Sequence, residues 1–269
     1  MASQHRKDRA LQIVETFASK NAPGWFTAFS RDEVALAIRH RVNDPSGVNQ
    51  QRAGVCGPAA FMYVLLSDHP DMYAKLVTEL YDKGETYSSE WPQLSVGIWI
   101  RPDVHLKNYR PPNPFQPADW IAMASLRDSS NSFLDYGSPT DNVFAGGTYS
   151  PDIAHWLRRV GGYQQVVDRT AYYGGKEGLL HGAHAYYMQK HRVFLSIHSA
   201  ILSDQNSTWS VWPNHWVVLE SPIRIARETV ELKVFTWAYV MKLGDRSKKY
   251  ALSKQNFLDH FYGFVAAKY

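Results

Sequence analysis

The sequence predicts an α+β domain, with helices first and a mostly antiparallel sheet after them. Apolar residues recur at helical spacing through the early part of the chain. A Pro-rich stretch with little periodicity follows, and short apolar runs bounded by Gly, Pro and Asn fill the last part. No repeat, low-complexity tract or linker interrupts the 269 residues, so a single domain over 1–269 is expected.

The first helix is expected over 8–20, from Leu11, Val14, Phe17 and Ala18, and Asn21-Ala22-Pro23-Gly24 ends it. A second spans 31–40, where Ser30 as N-cap and Glu33 form a capping box. Residues 43–54, rich in Asn, Gly and Pro, form a loop leading to Cys56. Cys56–Leu66 is nearly all apolar with Gly57-Pro58 at its start, which predicts a buried helix with Cys56 at its N-terminus. Another helix is expected over 69–82. The prolines between 84 and 150 (Pro92, Pro102, Pro111, Pro112, Pro114, Pro117, Pro139) predict a loop-rich region with one helix, 119–127. Pro151 opens a helix to Val160, Gly161-Gly162 stops it, and Tyr163–Asp168 suits a short strand. A helix over 178–190 and a strand at Val193–His198 come next. Strands at Trp216–Leu219, Ile223–Ile225 and Val230–Val240 complete the sheet, and a helix Lys254–Phe264, capped by Ser253, closes the chain.

Composition narrows the function. Hydrophobic residues at 45% and charged residues at 20% exclude a disordered chain. The net charge of +4 is spread along the sequence, which gives nucleic-acid binding no support, and the basic stretches His5–Arg9 and Arg246–Lys249 read as solvated surface. Lys7, Asp8, Arg9 and Glu15 break up the apolar core a secretory signal needs. No apolar run approaches the roughly 18–20 residues of a membrane span, so a cytoplasmic chain without membrane contact is expected, with signal-independent export left open. Gly146-Gly147 and Gly174-Gly175 are turn pairs, not nucleotide fingerprints, and Gly-x-Ser-x-Gly is absent. His181, His184 and His191 lack a neighbouring Cys or a His-Glu-x-x-His spacing, so neither metal nor cofactor is expected. Trp91, Trp99, Trp212 and Trp216 suit either a core or a substrate groove.

Cys56 is the single cysteine, so no intramolecular disulfide can form. At a helix N-terminus a thiol feels about half a positive charge, which favours the reactive thiolate. A lone cysteine is most often core filler. Here, Gly54-Val55-Cys56-Gly57-Pro58-Ala59-Ala60 sets small residues on both sides, a clearance that core filler does not need. Gln50, six positions upstream, can turn its amide toward an oxyanion forming beside the Cys56 backbone N–H.

The pattern of Gln50, five residues, then Cys56-Gly57-Pro58-Ala59-Ala60 resembles the papain-like cysteine peptidases, the bacterial double-glycine branch above all. Asn214-His215-Trp216-Val217-Val218-Leu219-Glu220 is similar to the strand that carries that family's His, and the order of elements over 48–240 is similar as well. The resemblance implies a papain-like fold and a cysteine protease that works through an acyl-enzyme. Cys56 would be the nucleophile, His215 the general base with His198 in reserve, and Gln50 the oxyanion donor. Where the family has an Asn or Asp to orient the His, Leu232–Trp237 places Phe235 or Thr236, while Trp237 matches the family's Trp. A Cys–His dyad is therefore implied, with the Thr236 hydroxyl or a carbonyl holding the imidazole and with Glu220 or Asn214 as substitutes. Similarity to the double-glycine branch implies a protein substrate cut after small residues, and free-standing domains of this kind resemble toxins delivered between bacteria, which implies an antibacterial effector with a cognate immunity protein as partner. Two other readings stay open: a deamidase, transglutaminase-like transferase or peptidoglycan amidase of the same fold, and a catalytically inactive binding module.

Overall fold

The computed structural model describes residues 2–51, 54–88, 97–111, 115–130, 147–171, 174–202, 212–244 and 252–269. It is mixed α+β, and its contacts separate two compact units: Met1–Thr148 with Arg159–Gly162, and Tyr149–Arg158 with Tyr163–Tyr269.

The first unit is mainly helical: α1 (Ala2–Ala18), α2 (Arg31–Asn43), α3 (Cys56–Asp68), α4 (Pro70–Lys83) and α5 (Pro117–Ser129), with a small antiparallel ladder of β1 (Thr86–Tyr87) and β2 (Trp99–Ile100). Local signals set the helix ends. Ser30 Oγ accepts the Glu33 N–H at 3.2 Å and the Glu33 carboxylate accepts the Ser30 N–H at 2.8 Å, so the capping box is closed in both directions. α4 stops at Gly84, whose φ of 72° is the left-handed cap that glycine adopts without a steric penalty. α1 packs on α2 and α4 and buries Val14 and Phe17 with them. α3 packs on α4 and α5, and every residue from Cys56 to Leu66 is buried. The basic stretch His5–Arg9 lies on α1, where Arg6 donates to the Asp68 carbonyl at the end of α3 at 2.7 Å. It is thus part dock and part solvated surface. Arg246–Lys249 lies outside the described residues.

The second unit carries α6 (Ser150–Arg159, all but its last residue), β3 (Gln165–Thr170), α7 (Lys176–Met188), β4 (Arg192–Ile197), β5 (His215–Leu219), β6 (Arg224–Ile225), β7 (Val230–Thr236), β8 (Tyr239–Leu243), α8 (Lys254–Asp259) and β9 (Phe261–Lys268). The strands form a sheet in the order β3-β9-β4-β5-β7-β6, with β8 also on β7, and every described pairing is antiparallel. α7 covers β4 and β9, and Leu180 and Ala183 join Val193, Leu195, Val217 and Phe264 in the core.

Two expected elements differ. The strand expected over Val230–Val240 is a hairpin: β7 ends at Thr236, β8 begins at Tyr239, and Thr236 pairs with Tyr239 across the turn. Trp237 and Ala238 form this two-residue turn with φ of 46° and 69°. Such turns favour Asn-Gly, and Trp-Ala gives no turn signal to read. The helix expected over Lys254–Phe264 keeps only its first half. Phe261–Lys268 is instead strand β9, between β3 and β4, buried from Phe261 to Ala267. A strand covered on both faces shows no alternation, so its apolar run looks like a buried helix. Gly263 marks the close approach to β3: its φ is 99°, and a Cβ there would lie 2.7 Å from Thr170 Cα. Among the described residues no helix is long and apolar enough to cross a membrane.

Candidate active site

The thiol belongs to the first unit. Cys56 opens α3 behind Val55, an N-cap residue that makes no side-chain capping bond. A Ser or Asp cap would place an acceptor oxygen on the first-turn amides; Val55 has no side-chain oxygen to do so. Cys56 is 8% exposed. Gly57 is required for packing, because a Cβ there would lie 2.5 Å from the Cβ of Thr148. The clearance expected at Gly57 is therefore filled by the chain itself.

Gln50 is half-buried in the loop between α2 and α3, in the same unit as Cys56. Its neighbours are tethered on both sides. The Asn49 N–H donates to Asp119 Oδ2 at 3.2 Å, and the Gln51 N–H donates to Asn49 Oδ1 at 2.7 Å. Gln51 has a φ of 52°, in the left-handed region. Asp119 in turn receives Nε and Nη2 of Arg41, each at 2.8 Å. Sequence spacing offers no signal for this tether, since Arg41 and Asp119 lie 78 positions apart.

The imidazole belongs to the second unit. His215 is the first residue of β5, paired across to Ile197 of β4 and 5% exposed. Its Nε2 lies 2.7 Å from Oγ1 of Thr236, the last residue of β7. The Trp237 ring flanks it, with centroids 5.1 Å apart and planes tilted by 33°. Burial lowers the His215 pKa to about 4, so the ring is neutral near neutral pH.

The other named residues have different work. Asn214 Oδ1 accepts the Ser199 N–H at 2.7 Å, and Glu220 pairs with Arg192 at 3.8 Å, while the Thr236 hydroxyl meets the His215 ring. His198 Nδ1 accepts the Ala200 N–H at 3.2 Å, and its ring sits 5.8 Å from that of His260. His184 Nδ1 accepts the Ile223 N–H at 3.1 Å. Among the described residues no group of three or more His, Cys, Asp or Glu could hold a metal ion. Trp99 stacks on Tyr87 in the first unit, whereas Trp212 and the buried Trp216 belong to the second; Trp91 and Gly146 lie outside the described residues.

Of the residues read from the sequence, Gln50 and Cys56 thus share one unit, and His215 and Thr236 are in contact in the other. Sequence reasoning did not find Asn49, Asp119 and Arg41, which stand behind Gln50. No protein-family model matches the chain, and neither the curated proteins nor the solved structures give a significant match.

Proposed function

We propose that the protein is a cysteine hydrolase of papain-like fold that cleaves a protein substrate through an acyl-enzyme. Cys56 is the nucleophile, His215 the general base and Gln50 the oxyanion donor. The observation that carries this reading is the held imidazole: Thr236 engages Nε2, and Trp237 is kept against the ring despite a φ of 46°. A non-glycine residue in the left-handed region costs about 1–2 kcal/mol, and such strain gathers at functional sites.

In the reaction, His215 Nδ1 takes the thiol proton as Cys56 Sγ attacks the carbonyl carbon. The oxyanion of the tetrahedral intermediate is met by the Gln50 amide and the Cys56 backbone N–H. On collapse, the imidazolium protonates the leaving amine. Water then attacks the thioester with His215 again the base; the C–S bond breaks, the acid product leaves, and His215 returns the proton to Sγ.

The test is incubation with a bacterial lysate, followed by mass spectrometry of new protein N-termini, against the Cys56→Ala form. New termini behind small residues should arise with the parent alone; identical profiles would refute the reading. As an antibacterial effector with an immunity partner, the parent would arrest growth when made in a bacterial cytoplasm, and Cys56→Ala would not. The 8% exposure of Cys56 also fits a second reading, an inactive binding module of the same fold. In that case iodoacetamide would alkylate Cys56 no faster than free cysteine at pH 6.

A further inference from the structure

The first unit buries a charged pair that the acyl-transfer steps leave unused. Asp119, on α5, is 1% exposed and takes both nitrogens of the Arg41 fork at 2.8 Å. A largely buried ion pair of this kind gains little stability over apolar residues of similar size. A bidentate fork does fix the carboxylate in place, so that its oxygens become rigid acceptors.

One of those acceptors is spent on a backbone amide. Asp119 Oδ2 takes the Asn49 N–H at 3.2 Å, and Asn49 Oδ1 takes the Gln51 N–H at 2.7 Å, so the amides on either side of Gln50 are both anchored. The second anchor holds Gln51 at a φ of 52°, a conformation an untethered Gln would leave. Earlier in the same loop, a Cβ on Gly47 would lie 2.5 Å from Arg41 Nη1, so the loop runs directly against the guanidinium. The pair thus sets the path of the backbone that carries Gln50.

We infer that Asn49, its own amide held by the Arg41-clamped Asp119, is a positioning residue: its side chain fixes the backbone that presents Gln50 to the oxyanion. This inference rests on the roles proposed above for Gln50 and Cys56. Preorganised donors matter because a displacement of about 1 Å can cost about a hundredfold in rate.

Two reactions of the same thiol separate an effect on the oxyanion from an effect on the thiolate. Iodoacetamide alkylates sulfur by displacing iodide at a saturated carbon and forms no oxyanion. p-Nitrophenyl acetate acylates sulfur through a tetrahedral oxyanion: the S–C bond forms, p-nitrophenolate leaves, and the thiol proton passes to His215. Asp119→Asn strands a buried guanidinium and risks unfolding, so Asn49→Ala is the deciding variant. It should lower the ratio of acylation to alkylation by about tenfold. Gln50→Ala should lower that ratio by about 10²- to 10³-fold, and adding Asn49→Ala to it should lower it no further. An equal loss from Asn49→Ala in both backgrounds, a parallel fall in alkylation, or no loss at all would each overturn the positioning role. A parent thiol no more reactive toward iodoacetamide than free cysteine at pH 6 would instead bring down the hydrolase reading, and this inference with it.

Discussion

Replacing Thr236 with Val removes one oxygen from the site and little else. The two side chains are near-isosteric, so β7 and the Trp237 turn keep their packing, while His215 Nε2 loses the hydroxyl 2.7 Å away. Both residues are buried, at 5% and 3% exposed, so water cannot easily replace the missing partner. A stranded buried polar group costs about 1–3 kcal/mol of stability. With a urea dependence of about 1–3 kcal/mol per molar, the unfolding midpoint should fall by roughly 1 M. The contact also holds the ring in one orientation, and where Nε2–H is given to Oγ1 the basic nitrogen is Nδ1, the atom the proposed mechanism uses. Losing about 1–2 kcal/mol of that positioning would lower kcat/KM roughly 5- to 30-fold. Urea unfolding followed by tryptophan fluorescence and the acylation rate with p-nitrophenyl acetate measure the two effects separately. Thr236→Ser, which keeps the hydroxyl, should recover most of the rate. A Thr236→Val protein as stable and as fast as the parent would contradict the role given to the hydroxyl, as would a Ser variant no better than Val.

Three further outcomes are expected. The His215 pKa of about 4 lies below the roughly 6.5 of an unfolded His, so between these values the unfolded chain binds the extra proton. Stability from this group is therefore whole above pH 6.5 or so, declines as pH falls toward 4, and loses up to about 3 kcal/mol. Urea unfolding at pH 7.5 and 4.5 should show a smaller loss for His215→Gln than for the parent; equal losses would contradict it. Gly263→Ala sets a Cβ 2.7 Å from Thr170 Cα at a φ of 99° and should cost about 2–3 kcal/mol by thermal unfolding. An unchanged melting temperature would mean that the β3–β9 approach is looser than described. Ala238→Gly relieves a φ of 69° and should gain up to about 1 kcal/mol with acylation unchanged; a loss of stability would show that the turn has another geometry.

How much of this was legible depended on whether the signal was local. Ser30 and Glu33 announce the start of α2, and the apolar run behind Cys56 announces α3, because capping and periodicity act within one or two turns. The end of β7 was hidden, since Trp237 and Ala238 make a turn that the sequence normally signals with Asn and Gly. β9 was misread because Phe261–Ala267 is buried on both faces, where helix and strand patterns converge. At the site, Cys56 and Gln50 stood out through short-range spacing, and the segment around His215 through its resemblance to a family strand. Thr236 was named by alignment alone, and its hydroxyl meets the ring only once β5 and β7 pair. The Arg41–Asp119 clamp could not be read, because nothing in either residue's neighbourhood points to a partner on another helix.

The proposed mechanism requires the Cys56 thiol and the His215 imidazole to act together, and trapping the acyl-enzyme measures whether they do. Protein exposed briefly to p-nitrophenyl acetate, quenched in acid and examined by mass spectrometry, should carry an acetyl group on Cys56. His215→Ala should form that thioester about 10²-fold more slowly or worse, since general-base assistance contributes about 10²- to 10⁴-fold. Acetylation of Cys56 at the parent rate in His215→Ala would contradict the pairing and the mechanism built on it.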